Sequence, residues 1–155
     1  MRNAALADSG PLLALFDRSD AHHLRVAAYL RDHPDIRLLT TAAVVTETAA
    51  LLAARVGHAA QLDFLEWVER GGLALIEFGP GSLRRVIEIV RKYRDLPFDF
   101  ADATLAEACA RLGVEAVLSI DRDFDIYRTK TGLPLRNLLG HAVPRARRRT
   151  PRTVK

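Results

Sequence analysis

The chain has 155 residues, 49% of them hydrophobic and 27% charged, a composition typical of one globular domain rather than of a disordered or fibrous protein. Its single cysteine, Cys109, excludes an internal disulfide framework and a multi-cysteine zinc cluster. No apolar run approaches the roughly 20 residues that cross a bilayer, and charge interrupts the N-terminus too early for a signal peptide. We therefore expect a cytoplasmic protein with no membrane contact.

The formal net charge of +4 is unevenly distributed along the chain. Six of the 23 basic residues and none of the 19 acids lie in residues 141–155, which leaves 17 basic and 19 acidic residues in 1–140. Two prolines and a low apolar content predict that 141–155 is a flexible basic tail. Such a tail either contacts phosphate groups through counterion release or is a solvated terminus that aids solubility. The expected organisation is one domain over 1–140 followed by this tail.

Short apolar runs alternate with helical patterns through the domain. In chain order, the pattern predicts strand 4–7, helix 12–16, helix 22–31, strand 36–40, helix 42–55, helix 59–70, strand 73–78, helix 83–94, helix 97–112, strand 114–119, a turn at 121–124 and a short strand 133–136. Strands that alternate with helices indicate an α/β fold with a mostly parallel sheet covered on both faces. Ligands of such folds bind outside the carboxyl ends of the strands.

The sequence makes more specific predictions for three of the helices. Helix 42–55 is apolar nearly all round, which predicts a buried helix, and Thr40 or Thr41 is expected to cap it. Helix 83–94 is expected to be capped by Ser82 and to turn four apolar side chains towards the core: Val86, Ile87, Ile89 and Val90. Cys109 lies on the apolar face of helix 97–112 and is expected in the core.

Acidic residues recur at the strand ends. Asp8 directly follows the first strand and Asp121 the fourth, while Asp99 and Asp102 open the helix that leads into that fourth strand. Each has an ordinary explanation: Asp8 and Asp121 as turn residues, Asp99 as a helix cap, and Asp102 as a first-turn acid favoured by the helix dipole. Glu47 is harder to explain, because a carboxylate in an apolar helix is rarely buried unless it is paired or binds metal.

The conjunction of these acids at one sheet edge predicts a metal site. Carboxylates brought together repel each other and become protonated unless a cation neutralises them. Carboxylate oxygens suit Mg²⁺ or Mn²⁺ rather than zinc, and Mg²⁺ is commonly shared with substrate phosphates. The spacing therefore favours metal-dependent phosphoryl transfer. The nucleotide and hydrolase motifs GxGxxG, Walker A, GxSxG and HExxH do not occur in the sequence.

Several stretches of the sequence resemble one family, the PIN-domain ribonucleases, and most closely the VapC-type toxins of type II toxin–antitoxin pairs. The matching stretches are Ala7–Leu15, Thr41–Glu47, Asp99–Leu105 and Leu118–Phe124, and their order and spacing match over about residues 4–128. The resemblance implies a PIN-like three-layer α/β/α sandwich whose central sheet has four to five mostly parallel strands.

The resemblance also implies site residues. An acidic pocket that binds Mg²⁺ or Mn²⁺ and carries catalysis would consist of Asp8, Glu47, Asp102 and Asp121. Asp99 would be an accessory acid, and Ser119 would orient a water or phosphate at a position where the family often has Thr. Ser9 would steady Asp8 through backbone contacts, and Asp123 is given no metal role.

The function implied is that of a Mg²⁺-dependent endoribonuclease toxin, which hydrolyses RNA phosphodiester bonds with a metal-activated water. A cognate antitoxin and a homodimer are the implied protein partners. Basic residues at the rim would attract RNA, with Arg18, Arg25, Arg122 and the tail as candidates. Two alternatives stay open: a catalytically silent PIN-like module that binds RNA or protein, and a DNA nuclease of the related flap type, for which the chain has little length to spare.

Overall fold

The computed structural model describes residues 3–140, so the predicted flexible tail, 141–155, lies outside the described residues. Within that range the elements are β1 (Ala4–Ala7), α1 (Ser9–Phe16), α2 (His23–Asp32), β2 (Arg37–Thr41), α3 (Ala42–Arg55), α4 (His58–Glu69), β3 (Ala74–Ile76), α5 (Ser82–Lys92), α6 (Phe100–Leu112), β4 (Ala116–Leu118), α7 (Asp123–Ile126) and β5 (Arg136–Asn137). No helix in this part of the chain is both long enough and apolar enough to cross a membrane.

The strands form one sheet in the order β3-β2-β1-β4-β5, and every neighbouring pair is parallel. β1 lies at the centre, where Leu6 is paired with Leu39 of β2 on one side and Val117 of β4 on the other. The predicted α/β/α sandwich with a mostly parallel sheet is confirmed, with five strands. Because the strands run in one direction, their C-terminal ends meet along one side of the sheet, which we call the carboxyl edge.

The core lies between the central strands and the helices that pack on them. All four residues of β1 are buried, and α6 contributes eight buried residues, Cys109 among them. Phe64 of α4 is fully buried and contacts Phe16 of α1 edge-on, with ring centroids 5.5 Å apart. A parallel sheet needs this cover on both faces, since both faces are apolar.

Two predictions about helix burial are wrong in part. Helix α3 buries only the face that carries Val44, Thr48, Ala49 and Leu52, because one side of the helix packs on the fold and the other remains exposed. On α5, Val86 is buried and Ile89 packs against the core, but Ile87 and Val90 are 43% and 37% exposed. The outer side of α5 is therefore an uncovered apolar stripe.

The starts and caps of several helices also differ from the predictions. Helix α1 begins at Ser9 rather than Leu12, because the Asp8 carboxylate accepts from the Ser9 N–H and Pro11 fits in the first turn. Ser82 lies inside α5 instead of capping it. Thr41 is the N-cap residue of α3 as predicted, but its hydroxyl is hydrogen-bonded to that of Thr104 and makes no capping bond. The predicted turn at 121–124 runs into the short helix α7.

Candidate active site at the carboxyl edge

Asp8 lies at the centre of the carboxyl edge, between β1 and α1. Its backbone N–H continues the sheet by donating to Leu118 O at 3.0 Å. The side chain is only 4% exposed; its Oδ1 accepts from the Ser9 N–H at 2.7 Å, and its Oδ2 accepts from Ser119 Oγ at 2.9 Å. The strand-to-helix turn and two hydrogen bonds thus fix this carboxylate in one orientation.

Ser119 connects Asp8 to the acid that follows β4. The serine is fully buried, donates its hydroxyl proton to Asp8, and accepts from the backbone N–H of Asp121 at 3.2 Å. The Asp121 carboxylate extends towards the start of α1, since a Cβ placed on Gly10 would lie 3.9 Å from its Oδ2. One serine therefore positions the ends of β1 and β4 against each other.

Asp99 and Asp102 form a reciprocal cap at the start of α6. Asp99 Oδ1 accepts from the Asp102 N–H at 3.0 Å, and Asp102 Oδ2 accepts from the Asp99 N–H at 3.1 Å. This capping box satisfies two helix N–H groups that otherwise lack partners. Asp99 therefore caps the helix and Asp102 is an acid of its first turn, the two structural roles that the sequence allowed. The same hydrogen bonds fix where the two carboxylates lie.

Glu47 faces the start of α6 across a cleft. It is half-buried on α3 and lines a cavity of about 450 Å³ together with Asp99, Phe100 and Ala101 on the opposite wall. The remaining lining residues, Ala43 and Thr46, belong to α3. The cleft thus lies between two of the helices that carry the predicted acids.

Burial and the charges of neighbouring acids oppose ionisation of Asp8 and Asp102. Burial raises the pKa of Asp8 to about 7 against the hydrogen bonds from Ser119 and Ser9, and the charges of Asp121 and Glu47 raise it further. Burial also raises the pKa of Asp102 to about 8, with a further contribution from the charge of Asp8. Asp8 therefore interacts electrostatically with all three other predicted ligands.

The four acids lack basic partners in the described part of the chain. Within residues 3–140, neither Asp8, Glu47, Asp102 nor Asp121 forms an ion pair. Over the same residues, no three Asp, Glu, His or Cys side chains converge as a complete set of metal ligands. The structure thus brings the acids into one electrostatic cluster without a finished coordination shell.

Asp123, which was given no metal role, belongs to the same cluster. Burial raises its pKa, as do the charges of Asp121 and Asp99, and its own charge contributes to the raised pKa of Asp102. The signal for it was the spacing Asp121-Arg122-Asp123, two acids two residues apart at the end of a strand. We read that spacing as part of a turn, whereas Asp123 is the first residue of α7.

One rim candidate has a different role. The guanidinium of Arg25 donates to the backbone carbonyls of Leu139 and Gly140, so it holds the end of the described chain. Its role in attracting RNA stays a prediction, because bonds to neutral carbonyls leave its positive charge in place.

Comparisons with known proteins identify the family of the chain. The PIN domain family model matches residues 5–130. Ribonuclease VapC26 of Mycobacterium tuberculosis is 31% identical over 117 residues, which cover 76% of this chain and 86% of the relative.

Two solved structures share the fold. The crystal structure of Mycobacterium tuberculosis VapC20, a Sarcin-Ricin loop cleaving toxin, superposes with a TM-score of 0.72 at 21% identity and covers 78% of this chain and 92% of its own. VapBC2 from Rickettsia felis, bound to a DNA fragment from its promoter, gives a TM-score of 0.62 at 11% identity, covering 86% and 98%. The chain therefore belongs to the PIN-domain family and, within it, to the VapC-type toxins.

Proposed function

We propose that this chain is a Mg²⁺- or Mn²⁺-dependent endoribonuclease, the cytoplasmic toxin of a toxin–antitoxin pair. The observation that carries the proposal is the carboxylate of Asp8, nearly fully buried at the carboxyl edge and repelled by its acidic neighbours. Burying a charge without a partner is costly, so such a cluster favours a bound cation. Membership of the VapC group, with a ribonuclease at 31% identity, supports RNA as the substrate.

The donor set fits a hard divalent ion. The proposed ligands, which are also the proposed catalytic residues, are the carboxylates of Asp8, Glu47, Asp102 and Asp121. Their oxygens are the donors that Mg²⁺ and Mn²⁺ prefer. When bound, the ion would supply a water that ionises near neutral pH and would offset the charge of the substrate phosphate.

The other residues of the site position these acids. Ser119 and Ser9 restrain both oxygens of Asp8, which leaves the carboxylate little freedom to rotate. Asp99 restrains Asp102 through the shared cap. Preorganisation of this kind lowers the cost of gathering several negative groups around one ion. We assign Ser9, Asp99 and Ser119 this accessory role, and Asp123 an electrostatic one.

The proposed protein partners are a second copy of the chain and an antitoxin. Six large apolar side chains, 37% to 54% exposed, line two cavities that both include Phe100, which also lines the acidic cleft. We call them the Phe100 face: Leu75, Phe78, Leu83, Ile87, Val90 and Phe100. Together they expose on the order of 500 Å² of apolar surface, as large as the biggest patches on ordinary monomers. A standard interface buries about 800 Å² per partner, so this face would supply the apolar centre of a homodimer.

A cleavage assay tests the proposed activity. Purified protein is incubated with a structured RNA in Mg²⁺, in Mn²⁺ and in EDTA, and the same assay is run on Asp8→Asn and Asp102→Asn. We expect cleavage only with a divalent ion and at least a 100-fold loss in each variant. Asp63→Asn, an exposed acid on α4, is the matched control and should cut like the parent. Equal cleavage by all proteins would refute the carboxylate mechanism.

The competing function is a catalytically silent PIN-like module that binds RNA or protein. The lack of a complete ligand set within residues 3–140 is the observation in its favour. Calorimetric titration with Mg²⁺ separates the two functions, because a silent module would bind no ion at millimolar concentration, whereas the nuclease would bind in that range.

A further inference from the structure

Ser119 orients Asp8, but Ser119 itself lies just beyond the end of β4. Its hydroxyl connects two acids, since it donates to Asp8 Oδ2 at 2.9 Å and accepts from the Asp121 N–H at 3.2 Å. Its backbone N–H donates to a side chain of the neighbouring strand, Asn137 Oδ1, at 3.4 Å. Asn137 is therefore one hydrogen bond away from the residue that orients the buried carboxylate.

Asn137, the last residue of β5, is itself held firmly. β5 pairs with β4, and the turn that follows closes on Asn137, because its Oδ1 accepts from the Leu139 N–H and its O from the Gly140 N–H, both at 3.2 Å. Arg25 of α2 donates to the carbonyl of Leu139 and to that of Gly140, the latter at 2.6 Å. The side chain that contacts Ser119 is thus fixed by the sheet, by its own turn and by α2.

The hydrogen bonds also decide which way round the Asn137 carboxamide lies. Ser119 and Leu139 both approach it with N–H donors, so the atom that faces them must be the acceptor, Oδ1. Asn137 Nδ2 then faces away from both; it is buried and has no hydrogen-bond partner within residues 3–140. An unpaired buried donor is costly, so stability of the turn alone does not explain an amide here.

An uncharged acceptor suits this position beside the acids. The charge of Asp121 already raises the pKa of Asp8. An aspartate at position 137 could accept from the same two N–H groups without leaving a donor unpaired, but its charge would add to this repulsion. Asparagine supplies the oxygen without the charge, and the unpaired Nδ2 is the consequence.

We propose that Asn137 is a positioning residue of the acidic site. Its carboxamide oxygen fixes Ser119, and Ser119 fixes the carboxylate of Asp8 and the backbone of Asp121. Groups that lie behind metal ligands and orient them set how tightly the metal binds. This inference rests on the proposed function, for which it names a residue outside the acids that controls metal affinity.

Calorimetric titration of the full chain with Mn²⁺ tests this role. Asn137→Ala removes the acceptor, whereas Asn137→Thr keeps a hydroxyl that can accept from the Leu139 N–H but is too short to reach Ser119. Asn3→Ala is the matched control, because Asn3 precedes β1 at the opposite end of the sheet, where it donates to Asp35 O at 2.7 Å. Thermal melts verify that each protein is folded.

Positioning through Ser119 predicts a specific pattern of Mn²⁺ affinities. Both Asn137 variants should bind roughly 5- to 10-fold more weakly than the parent, and Asn3→Ala should stay within about 2-fold of it. Ser119→Ala should weaken binding more, by roughly 10- to 100-fold. Adding Asn137→Ala to Ser119→Ala should cost less than about 2-fold further, because the asparagine acts through the serine hydroxyl.

Amide proton exchange, measured by NMR without metal, tests the same chain of hydrogen bonds. Because the Asp121 N–H donates to Ser119 Oγ, loosening Ser119 should expose both amides to exchange. Asn137→Thr should therefore raise the exchange rates of the Ser119 and Asp121 amides at least about 5-fold, while Asn3→Ala should leave them unchanged.

Other outcomes would overturn the inference. A lower melting temperature with unchanged Mn²⁺ affinity in both Asn137 variants would reduce Asn137 to the cap of a turn. Losses for Asn137→Ala and Ser119→Ala that multiply in the double variant would show that the two residues act independently. If the parent bound no Mn²⁺ but the two amides exchanged faster in Asn137→Thr, the ribonuclease proposal would fail while the positioning of Ser119 stood.

Discussion

Asp8 combines near-complete burial with three acidic neighbours, so its environment favours the protonated form. Its two hydrogen bonds, from Ser9 and Ser119, partly offset that preference, yet the pKa still rises from the ordinary 3.8 to about 7. Burial likewise raises the pKa of Asp102 to about 8. A divalent cation would reverse the balance, because it favours the charged form of each ligand.

This balance predicts how stability depends on pH when no metal is bound. Because the folded pKa of Asp8 lies above the unfolded one, the stability that comes from the protonated carboxyl is fully present below about 4. It is lost as pH rises from there to the folded pKa of about 7. Asp8→Asn removes this loss, so at pH 8 in EDTA the variant should exceed the parent in free energy of unfolding by roughly 1–3 kcal/mol. At pH 4 the gain should vanish.

Urea unfolding at pH 4, 6 and 8 measures this difference. Asp63→Asn is the matched control, since that aspartate is exposed on α4 and should give no pH-dependent difference. If Asp8→Asn raised the free energy of unfolding by the same amount at every pH, ionisation of Asp8 would not be what destabilises the parent.

For single residues, the sequence indicated which acids follow the strands more readily than how their carboxylates are held. Asp8 and Asp121 could be selected because each follows an apolar run that forms a strand. The hydrogen bond from Ser119 to Asp8 joins residues 111 positions apart, and only the pairing of β1 with β4 brings them together. The sequence does not single out Asp123, because a local turn explains its spacing equally well.

Among the helices, α6 connects the site to the rest of the fold. Its first turn carries Asp102, and one and a half turns later Glu107 is 1% exposed. Glu107 Oε1 accepts from Ser82 Oγ at 2.9 Å, Arg85 Nη2 at 2.8 Å and Arg111 Nε at 3.1 Å. Arg111 also donates to Glu77 O at 2.8 Å, so the network ties the β3–α5 loop to α6.

Neutralising this carboxylate should destabilise the fold. Burial opposes ionisation of Glu107, but the hydrogen bonds from Arg85 and Ser82 and the charge of Arg111 lower its pKa overall. Glu107→Gln should therefore reduce the free energy of unfolding by about 1–3 kcal/mol at pH 7, a value discounted for the partial exposure of both arginines. The lowered pKa means that this loss should shrink as pH falls below about 4.5.

Chemical unfolding at pH 7 and pH 4 measures the effect. Glu88→Gln is the control, because Glu88 is exposed on α5 and is expected to change stability by less than about 0.5 kcal/mol. Equal free energies of unfolding for Glu107→Gln and the parent at pH 7 would show that the ionised network does not stabilise the fold.

Helix α5 marks the limit of prediction from hydrophobic spacing. Its apolar residues occupy two sides, Val86 and Ile89 inward and Leu83, Ile87 and Val90 outward. Spacing identifies apolar stripes, but which stripe is covered depends on the packing of the whole chain and on any partner. Helix α6 was easier to predict, since Asp99 and Gly113 define its ends through a capping box and a left-handed turn.

For the whole molecule, the Phe100 face predicts self-association. Ile87→Glu places a charge in the centre of that face and should convert a dimer into a monomer in multi-angle light scattering. The monomer should still unfold cooperatively, at a melting temperature that no longer depends on protein concentration. Leu62→Glu, on an exposed part of α4, is the control and should leave the dimer intact. A parent protein that is monomeric at 100 µM, or a dimer that survives Ile87→Glu, would contradict the assignment.

The parallel sheet and the meeting of its strand ends along one edge were predictable because βα alternation leaves few other arrangements. The strand order β3-β2-β1-β4-β5 was not, since it is set by long-range packing that local patterns do not contain. It is this order that places β1 and β4 side by side and so brings Asp8 next to Ser119 and Asp121.

The most direct test of the account is where a metal ion binds. Crystals soaked in Mn²⁺ and measured at the manganese absorption edge would locate the ion by its anomalous signal. We predict a peak at the carboxyl edge within about 2.0–2.3 Å of carboxylate oxygens from Asp8 and at least one of Glu47, Asp102 and Asp121. A peak elsewhere on the protein, or none at millimolar Mn²⁺, would contradict the proposal that these acids share a divalent ion.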